Sequence, residues 1–374
     1  MDKIAFAVHK YLGLSETFIY EPLRNIKAFE AIVLTLAKEN LDKFPHPKIY
    51  SISDLPLQER LLENLTNYFG RFAYFKKIIK DLNIKLIHAH FAWEGIFILS
   101  LKRHFNLPLI TSLYGQDIYR YPRDPVYRWQ LKRLFSEGDL FLAACKDLKN
   151  KAISLGCPKN KIIVHHCRID LNNFTPIKTK KEKTKIKILM CGRLVEKKGF
   201  AYGIKAFAQS FNKYRNIRLQ IIGDGPLKNK LISLIKKMKL EEFISLQGSK
   251  SHPEIARAMR DADIFMMSYV TAKNGDSEAA PLVLKEAQAT GLPAISTRHA
   301  GVPEIVLDGK TGFLVEEKDV KGLAQKLNNL IENPQLRAKF GERGRRLIEE
   351  RFNIKDQTCE LEDIYKELIP PCST

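Results

Sequence analysis

Short runs that are apolar almost throughout alternate with helix-like stretches along this chain, and the alternation happens twice. Residues 3–8 read KIAFAV, and the same kind of run returns at 31–37 (AIVLTLA), 48–52 (KIYSI), 85–91 (KLIHAHF), 107–115 (LPLITSLYG), 139–145 (DLFLAAC) and 161–167 (KIIVHHC). A strand with one face in water alternates polar and apolar residues. A strand apolar on both faces must be covered on both, which points to a parallel sheet with helices above and below. A lysine-rich break, IKTKKEKTKIK (177–187), interrupts the rhythm. It then restarts at 186–190 (IKILM), 219–222 (LQII), 244–248 (ISLQG), 263–269 (DIFMMSY), 294–297 (AIST) and 312–315 (GFLV). The break is polar and lacks apolar periodicity, as a linker does.

At 374 residues the chain exceeds what one hydrophobic core usually supports. Two doubly wound α/β domains are therefore expected: 1–176, a linker at 177–187, and 188–350. A closing segment, 351–374, carries Phe352, Ile354, Leu361, Ile364, Tyr365 and Leu368 at helical spacing and is expected to return toward the N-terminal domain. In such sheets ligands bind outside the carboxyl ends of the strands.

Within this frame the stretch SEAAPLVLKEAQATGLPAISTRHA (277–300) carries the most chemistry. Pro281 suits a first helical position, because its missing N–H costs nothing there. The amides around Ala280, Leu282 and Val283 then become unpaired helix-start donors, a seat for an anion. Glu278 falls in the loop ahead and Glu286 on the second turn, so hydroxyls at both ends and a diphosphate between them would fit. A nucleotide sugar has that layout. Acidic residues near helix starts also complement the helix dipole, and Glu286 on a solvated face is the plainer alternative.

A second cluster follows strand IKILM: Gly192, Arg193, Lys197, Lys198 and Gly199. A glycine turn with a planar guanidinium and a mobile ammonium forms a phosphate clamp, although Lys197 and Lys198 also read as an exposed pair. Gly223 and Gly225, in GDGP, let a backbone approach a ligand or simply make a turn. Asp261-Ala262-Asp263 has the form of a metal-binding pair, but its place before an apolar strand favours helix or turn capping. No cofactor and no metal are expected.

The net charge is +20, so the chain should attract polyanions: nucleic acid, or an anionic membrane surface. No zinc-finger or RNP-type motif is present, which favours the membrane. Two stretches, Tyr68–Lys80 and Tyr119–Arg133, interleave cations with aromatics as interfacial segments do; aromatics in the core with solvated cations around them are the alternative. Six cysteines are scattered without metal-ligand spacing. No run of eighteen apolar residues occurs, and the N-terminus lacks the pattern of a secretory signal. The expected location is cytoplasmic, peripheral on the inner face of the membrane.

Taken together, GRLVEKKG, IIGDGPL, DADIFMMSY, the Glu278–Glu286 pair with GLPAIST, and HAGVPEIVLDGKTGFLV resemble, in order and spacing, the family 4 glycosyltransferases of the GT-B fold. The likeness covers nearly all of 186–330. SETFI (15–19), HAHF (88–91) and YGQD (114–117) resemble a bacterial surface-polysaccharide or lipopolysaccharide branch. The resemblance implies two Rossmann-like domains facing a cleft, and retaining transfer without a metal from a nucleotide-diphosphate sugar to a saccharide acceptor, lipid-linked in that branch.

By the same resemblance, Arg193 and Lys198 would hold the donor diphosphate, Glu286 the ribose hydroxyls and Glu278 the donor sugar. The backbone at Ala280, Pro281 and Leu282 would lie around phosphate and sugar, and Gly13-Leu14 would approach the diphosphate from the other domain. Two departures stand out. Tyr114 occupies a place where many relatives carry His, leaving His88 or His90, one strand earlier, as the imidazole near the acceptor. Arg168 stands where relatives usually have Gly. A synthase acting on small soluble acceptors, in the manner of sucrose or trehalose synthases, and a non-catalytic nucleotide-sugar binder remain the alternatives.

Overall fold

The computed structural model describes residues 1–13, 16–68, 72–176 and 185–369. Its residues divide into two compact units, Met1–Cys167 with Ile354–Thr374, and Arg168–Asn353. The division falls ahead of the lysine-rich break: 168–176 packs with the second unit, where Phe174 is buried in its core. Residues 177–184 of the expected linker lie outside the described residues, and the last part of it, from Ile186, is already strand.

In the first unit the strands are β1 (Lys3–Tyr11), β2 (Glu30–Lys38), β3 (Ile49–Ser51), β4 (Ile84–His90), β5 (Leu109–Leu113), β6 (Leu140–Ala143) and β7 (Ile162–Val164). All pair in parallel in the order β3-β2-β1-β4-β5-β6-β7. Phe6 on β1 faces Val33 on one side and His88 on the other. The order reverses direction between β1 and β4, the switch point at which an open parallel sheet leaves a crevice.

The second unit repeats the plan with β8 (Ile186–Cys191), β9 (Ile217–Ile222), β10 (Ile244–Leu246), β11 (Ile264–Met266), β12 (Ala294–Thr297) and β13 (Gly312–Val315). The order is β10-β9-β8-β11-β12-β13, again all parallel, with the switch between β8 and β11. Every apolar run picked out in the sequence holds a strand here; the central strands are buried on both faces, whereas the edge strands β7 and β10 expose Ile163 and Ser245. The helix Phe200–Lys213 covers β8 with Ile204, Phe207 and Phe211, as its spacing predicts. Each such side chain removed from water stabilises the unit by about 2 kcal/mol.

The closing segment is two pieces rather than one amphipathic helix from Arg351. Phe352 belongs to the second unit's core, and Asn353 pairs with Ile169 in a short parallel bridge. The last helix, Ile354–Leu368, buries Ile354, Leu361 and Tyr365 in the first unit. Its Glu362 carboxylate accepts from the backbone N–H groups of Lys27 and Ala28.

Candidate active site

The side chains singled out in the second unit gather around its switch point. After β8 the chain turns through Gly192 and a short 3-10 turn, Glu196–Lys198, into Gly199 at φ +67°. Gly199 packs so closely on the strand-end segment after β11 that a Cβ there would lie 1.7 Å from the Ser268 carbonyl oxygen. Gly223, which follows β9, has φ +146°, and a Cβ on it would meet the Gly192 carbonyl oxygen at 1.9 Å. Gly225 shares the positive-φ backbone. These glycines therefore let the loops after β8, β9 and β11 lie against one another.

Lys197 and Lys198 are not an exposed pair; both are buried. Lys198 Nζ donates to Glu278 Oε1 at 2.9 Å, and Lys197 Nζ stands 3.5 Å from Glu278 Oε2 and 3.1 Å from Asp276 Oδ1. Burial alone would raise the Glu278 pKa. Lys198, Lys197 and Arg193 outweigh it and hold the carboxyl at about 2, so it is ionised at neutral pH. Lys198 also lies 5.3 Å above the centre of the Tyr269 ring. Arg193 itself is exposed.

Pro281 sits one position outside the helix Leu282–Ala289, as its flanking residue with φ −65° and ψ 115°. The shift is within the usual uncertainty of a helix end. No side chain caps this helix start, and Ala280, Leu282 and Val283 are partly exposed. Glu286, the fifth residue of the helix, is buried and not a solvated face residue; its Oε1 stands 3.1 Å from His252 Nε2. Tyr269 is buried near both carboxylates. Its phenol is held well above its ordinary pKa by burial and by the charges of Glu278, Cys191 and Glu286, and its Oη has no hydrogen-bond partner among the described residues.

Three participants were not singled out from the sequence. Asp276 pairs with Lys197, as given above. His299, just after β12, accepts the Glu278 backbone N–H at Nε2 (3.0 Å) and donates from Nδ1 to Glu317 Oε1 at 2.6 Å. An N–H pointing into Nε2 requires that nitrogen to be bare, so the neutral ring carries its proton on Nδ1. Glu317 is held below its usual carboxylate range because the His299 and Thr271 hydrogen bonds outweigh burial. The signal for His299 was its place after a parallel strand, within the quoted HAGVPEIV. Asp261 and Asp263 both bond to Lys187, through its ammonium (3.4 Å) and its backbone N–H (2.9 Å), which ties them to β8.

In the first unit, His90 Nδ1 is 2.7 Å from Tyr114 Oη, and His90 Nε2 is buried with no hydrogen-bond partner among the described residues. Burial lowers the His90 pKa to about 3, so the ring is neutral. His88 is satisfied structurally, by Ser112 Oγ at 2.8 Å and Tyr365 Oη at 2.7 Å. Asp117 caps: its carboxylate accepts backbone N–H bonds from Gly115, Tyr114 and Ala92. The Gly13 amide, expected to approach a diphosphate, is taken by Glu16 Oε2 at 2.7 Å. Leu14 lies outside the described residues. Arg168 is not among the positive-φ residues, so the junction requires no glycine there. Of the two cation–aromatic stretches, Phe72 and Phe75 are core while Tyr121 and Trp129 are exposed.

The chemistry available in the second unit is thus three cations, an uncapped helix start, and two carboxylates flanking it, Glu286 buried and Glu278 partly exposed. Such a site can hold a dianionic group between hydroxyl-bearing ends.

Comparison with known proteins identifies the family. Residues 172–347 match the model "Glycosyl transferases group 1", and 23–173 match "Glycosyltransferase Family 4". The chain is 33% identical over 284 residues to WcaL of Escherichia coli (strain K12), a glycosyltransferase assigned to colanic acid biosynthesis, covering 75% of this chain and 70% of that one. It is 33% identical over 238 residues to the amylovoran biosynthesis glycosyltransferase AmsK of Erwinia amylovora, covering 63% of this chain and 58% of the relative. The chain thus spans less than two thirds of AmsK. In fold it is similar to Anabaena HepE solved with UDP, with a TM-score of 0.80 at 18% identity, covering 98% of this chain and all of that one.

Proposed function

The chain belongs to glycosyltransferase family 4, with the GT-B α/β fold, and from that membership we propose that it moves a sugar from a nucleoside-diphosphate sugar to a saccharide acceptor with retention of the anomeric configuration. One observation supports this most: Glu278 is partly exposed and ionised beside the buried Lys198 and Lys197, directly ahead of an uncapped helix start, at the switch point of the second sheet.

Lys198 spends one of its three N–H donors on Glu278, which leaves two for phosphate oxygens. Arg193 adds a planar fork, and the helix amides from Leu282 onward add the positive end of a dipole. Glu286 takes the ribose hydroxyls and Glu278 the sugar. Gly192, Gly223, Gly225, Ala280 and Pro281 bring backbone close to the donor. In the transfer, the bond from the sugar anomeric carbon to the phosphate oxygen breaks and the acceptor oxygen bonds that carbon on the same face. The acceptor proton passes to the departing diphosphate. The barrier lies in an oxocarbenium-like state, lowered by preorganised charge at the leaving group. Here side chains supply that charge, so no metal ion is needed.

The relatives named for colanic acid and amylovoran support an acceptor in surface-polysaccharide assembly, and we propose that it is carried on a lipid. No helix among the described residues is long and apolar enough to cross a membrane. Contact with an anionic cytoplasmic leaflet instead fits the net charge of +20 and the exposed Leu57, Leu61, Leu62, Val126 and Trp129. The test is a thermal-shift panel of UDP-, GDP- and ADP-sugars, followed by the anomeric configuration of the product with the donor that stabilises. Absence of stabilisation by every nucleotide sugar, or an inverted product, removes the proposal.

A further inference from the structure

The first sheet has its own switch point, between β1 and β4, and a cavity of about 500 Å³ opens there. That volume lies within the range of small-molecule sites, ~300–1,000 Å³. Its walls come from the end of β1 with Gly13 and Glu16 on one side, and from His90, Phe91, Trp93 and Glu94 on the other. We propose that this cavity is a saccharide pocket in which the Trp93 ring and the Glu94 carboxyl hold one neutral sugar ring. The proposal rests on the glycosyltransferase reading and names the chemistry of the acceptor residue that the first unit grips.

Three observations carry it. The first is an aromatic wall: Trp93 stacks on Phe91 with ring centres 4.2 Å apart and planes 10° apart, and Tyr121 meets Trp93 edge-on at 5.4 Å. A fixed indole plane with a polar rim suits the C–H face of a sugar.

The second is a pair of buried polar atoms with no hydrogen bond. Glu94 is 2% exposed and its Oε1 has no hydrogen-bond partner among the described residues; His9 Nδ1 stands 3.9 Å from it. His90 Nε2 is the other. An unmet buried polar group destabilises a fold, so its presence calls for a reason. Burial pushes the Glu94 pKa up to about 8 and lowers that of His9. Glu94 is then a neutral acid at pH 7, able to give and to accept a hydrogen bond. His9, about half exposed, stands beside Oε1 at the cavity wall.

The third is charge. Lys10 is the one cationic side chain on the wall among the described residues, and Glu39 holds it at 3.1 Å. Glu16 and Glu39 bring negative charge to the same wall. A uronic acid or a phosphate would meet carboxylates; a neutral ring with hydroxyls would not.

Trp93 and Trp129 are the only tryptophans in the chain. Trp129 does not line the cavity, so Trp129→Phe makes Trp93 emission a direct reporter. Methyl α-glucoside, methyl α-galactoside and glucuronate are titrated into that full-length variant. A saturable change with a neutral glycoside is expected, with glucuronate about tenfold weaker or worse. Glu94→Leu should weaken the neutral glycoside about tenfold. Glu94→Gln, which keeps both a donor and an acceptor, should retain binding and stands in if Glu94→Leu fails to fold. No saturable change with either glycoside, glucuronate binding as well as they do, or undiminished binding in Glu94→Leu overturns the proposal. UDP stabilisation measured in the same variant separates the failures: if UDP stabilises and glycosides do not bind, the pocket alone falls.

Discussion

Replacing Lys198 with methionine keeps the stem of the side chain and removes the charge nearest to Glu278. In the native site that carboxyl is largely covered, with 18% of the side chain exposed, yet its pKa is about 2 against an ordinary 4.5, with Lys198 the largest opposing influence and Lys197 and Arg193 behind it. A depression of that size corresponds to about 3 kcal/mol of stability. The sign follows from the direction. A depressed carboxyl contributes above its unfolded pKa of 4.5, and the contribution is lost as pH falls toward 2. In Lys198→Met, Lys197 remains but is shared with Asp276, so burial regains control of Glu278. The variant should lose about 2–3 kcal/mol at neutral pH, a fall of roughly 5–10 °C in melting temperature for a domain of this size. Thermal unfolding followed by circular dichroism from pH 7 down to about 3 provides the assay. The gap between wild type and variant should be widest at pH 7 and close as Glu278 is protonated. Lys198→Met combined with Glu278→Gln should recover most of the loss, since the unpaired charge is gone. Equal melting temperatures at neutral pH, or two pH curves that run parallel, would refute the electrostatic account.

Other consequences are open to simpler checks. Gly223→Ala should cost about 3 kcal/mol or more by chemical denaturation, because a Cβ at φ +146° would sit 1.9 Å from the Gly192 carbonyl oxygen. Chelation with EDTA should leave turnover unchanged if side chains alone stabilise the leaving diphosphate; loss of activity restored by a divalent cation would contradict this. Anionic vesicles should sediment the chain at low salt and release it at high salt, and Trp129→Glu should weaken that binding. Equal binding to neutral vesicles would contradict the electrostatic part.

Strands were legible because burial on both faces leaves a local record: AIVLTLA or DIFMMSY has no alternation to confuse with a half-exposed strand. The glycine turns and the Glu278–Glu286 frame were legible for the same reason, since backbone geometry and helix position are set nearby in the chain. What stayed hidden depends on contacts between distant segments. Nothing local shows that Lys197 is buried, because its partner Asp276 comes from the loop after β11. His299 is brought to Glu278 by the packing of β12 beside β11. Glu94 reads as an ordinary acid in the first turn of a helix, and only the cavity shows it sealed and without a hydrogen bond at Oε1. The placing of 168–176 with the second unit is hidden for a related reason: the lysine run is conspicuous, whereas the packing of Phe174 into the second core is a tertiary fact.

The central claim is that the second unit grips a nucleoside diphosphate through its phosphates, and calorimetric titration of UDP, GDP and ADP and their monophosphates into the full chain tests it most directly. Arg193 is exposed and the last of the three cations acting on Glu278, so Arg193→Met should lower the melting temperature less than Lys198→Met. One of the three diphosphates should bind wild type about tenfold or more tighter than its monophosphate, the scale of a charged hydrogen bond of about 1.5–3 kcal/mol, and Arg193→Met should erase most of that preference. Equal affinity for mono- and diphosphate in wild type, or a preference that survives unchanged in Arg193→Met, would contradict it.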